Sequence, residues 1–268
     1  MSEPLLQVDK IEVVYKRVIT AVQGVTLSVA NRHIVALLGT NGAGKTTTLR
    51  AISGFLGIDD ARVTEGTISF EGARLENLPP YDITGRGVAL VPERDKVFPN
   101  LTVAENLSVS VARAATTVAE RRHDEERIYD FFPRLAQLRQ RVGGLLSGGE
   151  RQMMAIAGAL MCRPKLLLID ELSLGLAPVV VEDLTRRLMM VRDEMGIAIL
   201  LVEQSAAVAL EIADYAYVME NGRIVLDGDR ERLKSHQDVQ EFYLGQVGGE
   251  RRSYRDVKQY RRSRRWYG

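Results

Sequence analysis

Ile34-Val-Ala-Leu-Leu38 runs without a polar residue into Gly39-Thr-Asn-Gly42-Ala-Gly44-Lys45-Thr46. A short, wholly apolar run fits a strand buried on both faces, as in a parallel sheet covered by helices. The glycines that follow allow backbone angles and close approaches closed to other residues. Thr46 to Ser53 then reads as a helix. Strand, glycine loop and helix in that order restrict the fold to an α/β class with the loop at the carboxyl end of a parallel strand.

Such a loop cradles phosphate through its backbone N–H groups, helped by the amino end of the following helix. The binding set read from it is Gly39, Asn41, Gly42, Gly44, Lys45, Thr46 and Thr47. Lys45 is placed to reach the β- and γ-phosphates of a nucleoside triphosphate, and the Thr46 hydroxyl to bind Mg²⁺. A second apolar run, Leu166 to Ile169, ends in Asp170-Glu171. Two carboxylates at the end of a buried strand suit metal holding by Asp170 and polarisation of an attacking water by Glu171 as general base.

The rest of the chain reads as strand near Leu5 to Glu12, Val25 to Val29, Gly66 to Phe70, Gly87 to Val91, Ala198 to Val202 and Ala216 to Glu220. Gly66 to Phe70 reads as an edge strand, and the polar stretch Asp59 to Glu65 as an insertion or loop. Helical patterning dominates Thr102 to Leu160, and helices are expected at Val179 to Glu194, Ala206 to Ile212 and within 233–244. Asn221-Gly222 and Asp227-Gly228 bracket a short strand, as in a hairpin. These elements give a mostly parallel core with amino-terminal antiparallel strands, residues 1–245, interrupted by a helical insertion at about 95–160. No apolar run approaches the roughly 20 residues that span a bilayer. The single cysteine, Cys162, excludes an intrachain disulfide and reads as a small buried hydrophobe.

Leu146-Ser147-Gly148-Gly149-Glu150, ahead of the acidic pair, resembles the signature motif of ATP-binding-cassette ATPases. The resemblance implies a RecA-like P-loop core, the cofactors ATP and Mg²⁺, and a head-to-tail dimer in which Ser147, Gly148 and Gly149 complete the partner's nucleotide site. Tyr15, upstream of the glycine loop, is then placed to stack on adenine, its alternative being simple packing. Within that superfamily the chain is most similar to the LivF-like ATPases of branched-chain amino acid importers. Val91-Pro-Glu93, Val97 to Leu107, Ser173 to Pro178, Leu201-Val-Glu-Gln204 and Tyr243-Leu-Gly245 carry the likeness.

That likeness implies partners: two transmembrane permease subunits, a LivG-like second ATPase or a second copy of this chain, and indirectly a periplasmic solute-binding protein. It implies a peripheral place at the cytoplasmic face of a bacterial inner membrane. The permease contact is expected around Glu93 to Leu107, with Arg94, Asp95, Lys96 and Phe98 as candidates; a solvated charged turn accounts equally for the first three. Glu93 stands where the general pattern has a glutamine, and its carboxylate is expected to reach Mg²⁺ through water. Gln204 stands where a histidine is usual; it is expected to meet the γ-phosphate region and cannot titrate. Ala177 replaces a common aspartate. Leu172 replaces the proline that usually follows the catalytic glutamate, which leaves that loop without a ring to fix its backbone.

Residues 246–268 form a basic tail with aromatic residues, including Trp266 and Tyr267. Its possible roles are contact with anionic headgroups, docking on a partner cassette, a solvated appendage, or RNA binding. Other readings of the whole chain are a stand-alone motor for lipid or lipopolysaccharide export, a non-transport cassette on ribosome or DNA, and a non-hydrolysing subunit. The absence of a second cassette and of a long coiled coil makes nucleic acid the weaker choice.

Overall fold

The structure is a computed structural model, and it describes residues 3–94, 97–110, 117–236 and 239. Its strands are β1 (Leu6–Tyr15), β2 (Ile19–Val29), β3 (Ile34–Gly39), β4 (Ala61–Phe70), β5 (Ala73–Arg74), β6 (Val88–Val91), β7 (Leu166–Asp170), β8 (Ala198–Glu203), β9 (Tyr215–Glu220) and β10 (Arg223–Asp229). Its α-helices are α1 (Lys45–Ser53), α2 (Pro80–Gly85), α3 (Val103–Val109), α4 (Val118–Phe131), α5 (Pro133–Gln137), α6 (Gly148–Leu160), α7 (Pro178–Met195), α8 (Ala206–Ile212) and α9 (Arg230–Ser235).

Two sheets organise these elements. One is antiparallel, in the order β2-β1-β4-β5. The other runs β10-β9-β3-β8-β7-β6 and is parallel except for β10, which returns antiparallel to β9. The apolar run that forms β3 explains its central place, because both faces are covered. Ile34, Ala36 and Leu38 join the hydrophobic cluster with α6, α7 and α8. Val35 and Leu37 join the cluster with the antiparallel sheet and with Leu49, Ala51 and Ile52 of α1. Helix α1 is therefore wedged between the two sheets, with its amino end at the glycine loop. The RecA-like P-loop core, the antiparallel strands and the helical subdomain all appear as the sequence suggests.

Residues 61–65, expected in a polar loop, instead form the first half of β4, and β4 lies inside its sheet between β1 and β5. Only Ala61 and Val63 of this half are buried, so the alternation is short and the exposed charges hide it. Gly66 does not start the strand but bends it. Its φ is +80°, and a Cβ there would stand 2.4 Å from the Asp9 carbonyl oxygen and 2.5 Å from Lys10 backbone atoms. Opposite, Lys10 takes φ 48° at the β1–β4 register shift between Asp9 and Glu12. This is a bulge facing a glycine, which increases strand twist.

The helical subdomain is held by caps that the sequence encodes. Thr102 with Glu105 and Thr117 with Glu120 form reciprocal capping boxes at α3 and α4. Asn106, buried, accepts from Phe98 N–H and donates to the carbonyls of Phe98, Leu101 and Thr102, which fixes the 98–102 turn. Cys162 is partly buried and packs against the helical core, as a small hydrophobe should. No helix among the described residues is long and apolar enough to cross a membrane. Asp95, Lys96, Tyr243 to Gly245 and the basic tail lie outside the described residues.

Candidate active site

The parallel order of the core sheet brings the carboxyl ends of β3, β7 and β8 side by side, and the site is built there. Gly39 ends β3. A Cβ on it would meet the Met219 carbonyl oxygen at 2.4 Å, so the loop leaves the sheet through a gap that only glycine fits. Gly42 and Gly44 take φ 80° and 106°. The chain thereby turns back on itself and presents residues 41–47 along a cleft of about 880 Å³. Asn41, Gly42, Gly44, Lys45, Thr46, Thr47, Glu93 and Glu171 all line it.

Lys45 is almost wholly buried, with 5% of its surface exposed. Its Nζ donates to the carbonyls of Gly39 at 2.8 Å and Thr40 at 3.2 Å, and lies 3.3 Å from Glu171 Oε1. The Thr46 hydroxyl donates to Asp170 Oδ1 at 3.2 Å. Asp170 sits beneath the cleft, and burial pushes its carboxyl up to about 6; the neighbouring Glu171 and Glu93 charges add to the rise, while the Thr46 hydrogen bond and Lys45 oppose it. Glu171 follows in the left-handed region at φ 56°, an unfavourable conformation for a side-chain-bearing residue that is held by its backbone N–H donating to Val202 O at 3.0 Å.

These residues fit a magnesium nucleotide. A Cβ on Gly42 would meet nothing within 4 Å, a buried ammonium lies beside the loop, and a carboxyl raised by burial stands next to the Thr46 hydroxyl. Among the described residues no group of three His, Cys, Asp or Glu side chains is arranged to hold a metal ion. A magnesium ion bound with nucleotide would be held by the Thr46 hydroxyl and the Asp170 carboxylate, which lie 3.2 Å apart, with Glu93 lining the same cleft and phosphate and water supplying the remaining ligands.

Other assigned residues lie around this centre. Tyr15 reaches the loop through its hydroxyl, 3.2 Å from Thr47 Oγ1, while its ring packs against the core between the sheets. Gln204 is exposed beyond the end of β8 and does not line the cleft. Ser147 and Gly148 are exposed, and they too are not among the residues lining this cleft. Ser147 caps α6: its Oγ accepts from Glu150 N–H at 3.3 Å and Glu150 Oε2 accepts from Ser147 N–H at 2.8 Å. A Cβ on Gly149 would stand 2.6 Å from Val180 of α7, which accounts for that glycine by packing alone.

Two features went unseen in the sequence. Asn221-Gly222, read only as a hairpin turn, forms a wall of the cleft: Gly222 N–H donates to Ala43 O at 2.8 Å and Gln23 N–H donates to Gly222 O at 2.8 Å. The signal was present in the glycine at φ 78°, whose added Cβ would meet Ala21 O at 2.6 Å, but nothing local says which surface the turn reaches. Glu203, fully buried, accepts from Ser173 N–H at 2.8 Å and from Ser173 Oγ at 2.9 Å. Its acidic character in an otherwise apolar strand end was the only clue.

The ABC transporter family model matches residues 22–173, which takes in the glycine loop, the 147–149 motif and the acidic pair. The chain belongs to the ABC transporter ATPases. It is 40% identical over 241 residues to the high-affinity branched-chain amino acid transport ATP-binding protein BraG of Pseudomonas aeruginosa, covering 90% of this chain and all of that one. It is 33% identical to the lipopolysaccharide export system ATP-binding protein LptB of Haemophilus influenzae, covering 84% of this chain and 91% of the relative. Among solved structures it resembles the ADP conformation of an ATP-binding cassette of an ABC transporter, with TM-score 0.78, 27% identity and coverage of 91% and 100%. As an ABC ATPase the chain is an ATP-binding, ATP-hydrolysing motor component of a transporter.

Proposed function

We propose that this chain powers a membrane importer for branched-chain or other hydrophobic amino acids. The observation that carries the reading is the joining of one intact set of hydrolytic side chains, Lys45, Thr46, Asp170 and Glu171, to 40% identity along the full length of a branched-chain amino acid transport ATPase. Lys45 binds the β- and γ-phosphates, Thr46 and Asp170 hold the metal, and Glu171 orients water and accepts its proton. When bound, Mg²⁺ neutralises charge on the phosphate oxygens. Tyr15 stacks on the adenine, Glu93 reaches the metal through water, and Gln204 approaches the γ-phosphate region once a partner closes the cleft.

The exposed Ser147 end of α6 supports the dimeric part of the reading. A motif that caps a helix yet does not line its own chain's cleft is free to serve a second cassette, either a second copy or a different ATPase. Permease docking is supported by a groove of about 230 Å³ lined by Leu90, Pro92, Phe98, Asn106, Met154 and Cys162, with Phe98 60% exposed beside it. A periplasmic binding protein would then deliver the solute to the permeases, and this chain would sit peripherally at the cytoplasmic membrane face.

Tagged full-length chain recovered from native membranes tests the proposal. Two permeases, a second cassette and ATPase activity stimulated by an amino-acid-loaded binding protein are the expected result. Recovery with a lipid- or lipopolysaccharide-export permease would transfer the same motor to export, the second reading, which rests on the 33% identity to LptB.

A further inference from the structure

Glu203 closes β8 with a fully buried carboxylate, and what it holds is the loop that follows the general base. Its Oε1 takes the Ser173 N–H at 2.8 Å and its Oε2 takes the Ser173 hydroxyl at 2.9 Å. Two hydrogen bonds to one residue fix both the position and the rotation of the backbone at 173, only two residues past Glu171. Glu171 itself is tied to the same strand, N–H to Val202 O at 3.0 Å, and holds φ 56°. Leu172, between them, has no ring to set its backbone and contributes by burial alone. The segment 171–173 is thus fastened to the end of β8 at each end, and the tighter fastening is made by a charged side chain.

A carboxylate is a costly choice for a purely structural peg. A buried charge is tolerated only where hydrogen bonds compensate it, and an apolar residue would fill the space more cheaply. Its carboxyl is also raised by burial and by the neighbouring Glu171 charge, so it stands close enough to the base to feel it. A hydrogen bond from the Ser205 backbone opposes that rise and ties the same carboxylate to the residue after Gln204.

We infer that Glu203 is a positioning residue for hydrolysis: through its paired hydrogen bonds to Ser173 it holds the strained Glu171 backbone so that the Glu171 carboxylate meets the attacking water. The inference rests on the proposed role of Glu171 as general base. It assigns to Glu203 no contact with nucleotide, metal or water.

The test is steady-state Mg-ATPase of the full-length chain, wild type against Glu203→Gln, Ser173→Ala, Ser173→Thr and the double variant Ser173→Ala/Glu203→Gln, with Glu171→Gln as reference. Misplacement of a catalytic group by about 1 Å costs roughly a hundredfold, so Glu203→Gln is expected to lower kcat by about ten- to a hundredfold with KM and ATP-analogue affinity within about twofold. Ser173→Ala should fall part of the way, Ser173→Thr should keep activity near wild type, and the double variant should be no slower than Glu203→Gln. Ser173→Ala removes only one hydroxyl and keeps the fold even if Glu203→Gln does not. Wild-type kcat in both Glu203→Gln and Ser173→Ala, with Glu171→Gln inactive, overturns the inference alone. Equal losses in kcat and analogue affinity also overturn it, since they indicate general damage. Undiminished turnover in Glu171→Gln overturns the hydrolytic role of Glu171 and this inference with it.

Discussion

Lys45 Nζ stands 3.3 Å from Glu171 Oε1, and both side chains are nearly excluded from solvent. The ammonium proposed to meet phosphate and the carboxylate proposed to meet water are each other's counterion. On the roles proposed above, phosphate oxygens entering the loop would compete for the same ammonium and free the Glu171 carboxylate for water. Glu171→Gln keeps the shape and removes the proton acceptor. We expect phosphate release to fall by about 10²- to 10⁴-fold while ATP is retained, read by phosphate assay and by nucleotide recovered after gel filtration.

Asp170 gives the site a pH dependence with a definite sign. Its carboxyl is raised from 3.8 to about 6 by burial, with Glu171 and Glu93 adding and Thr46 and Lys45 opposing. The folded protein therefore holds that proton more tightly than the unfolded chain. The associated stability is complete below 3.8 and is lost as pH rises through 6. In metal-free buffer at pH 7.5, Asp170→Asn should be more stable than wild type by about 1–3 kcal/mol, with the gap closing towards pH 4.5 in paired thermal melts. Mg²⁺-dependent nucleotide binding by the wild type should weaken as pH falls through about 6, because the metal and the proton compete for one carboxylate.

Gly42 and Gly44 separate conformational need from space. Both have positive φ, but a Cβ at Gly42 meets nothing within 4 Å, whereas one at Gly44 meets Met219 Cε at 2.7 Å and Ala21 O at 3.0 Å. Both alanine variants carry a backbone cost of roughly 1–2 kcal/mol. Gly44→Ala should add a steric loss visible as a lower melting temperature without ligand. Gly42→Ala should melt closer to wild type and lose nucleotide affinity, because Gly42 lines the cleft and its backbone conformation shapes the loop. Equal melting temperatures for the two variants would contradict the assignment.

Ala177 is the N-cap of α7, with φ −67° and ψ 145°, and no side chain caps that end. Pro178 follows at the first helical position, where its missing N–H costs nothing. The backbone is already in the geometry that an aspartate cap uses. Ala177→Asp should stabilise the chain by about 0.5–2 kcal/mol, read as a shift of the denaturation midpoint at constant slope.

Strong local signals made the centre of the molecule legible. The apolar runs of β3 and β7, each ending in a polar motif, specified both the sheet and the residues at its edge. Pro178 and Gly196 bounded α7 by their own backbone preferences. Residues 61–65 were not legible, because Ala61 and Val63 are the only buried positions of a strand half whose partners, Glu12 to Tyr15, lie on a strand distant in sequence. Asn221-Gly222 is the hairpin turn that the sequence suggests, but its place on the cleft wall and the contacts of Glu203 were not legible, because both depend on partners that are distant in sequence. Gln204 shows the converse: a likeness in motif gave it a place beside the γ-phosphate, whereas in this chain it is exposed and does not line the cleft.

The two backbone hydrogen bonds of Gly222, to Ala43 and from Gln23, have a mechanical meaning. They rivet the glycine loop, the antiparallel sheet and the β9–β10 hairpin into one stiff jaw. A load borne by the antiparallel sheet therefore has a direct backbone route to the glycine loop, through Gln23, Gly222 and Ala43.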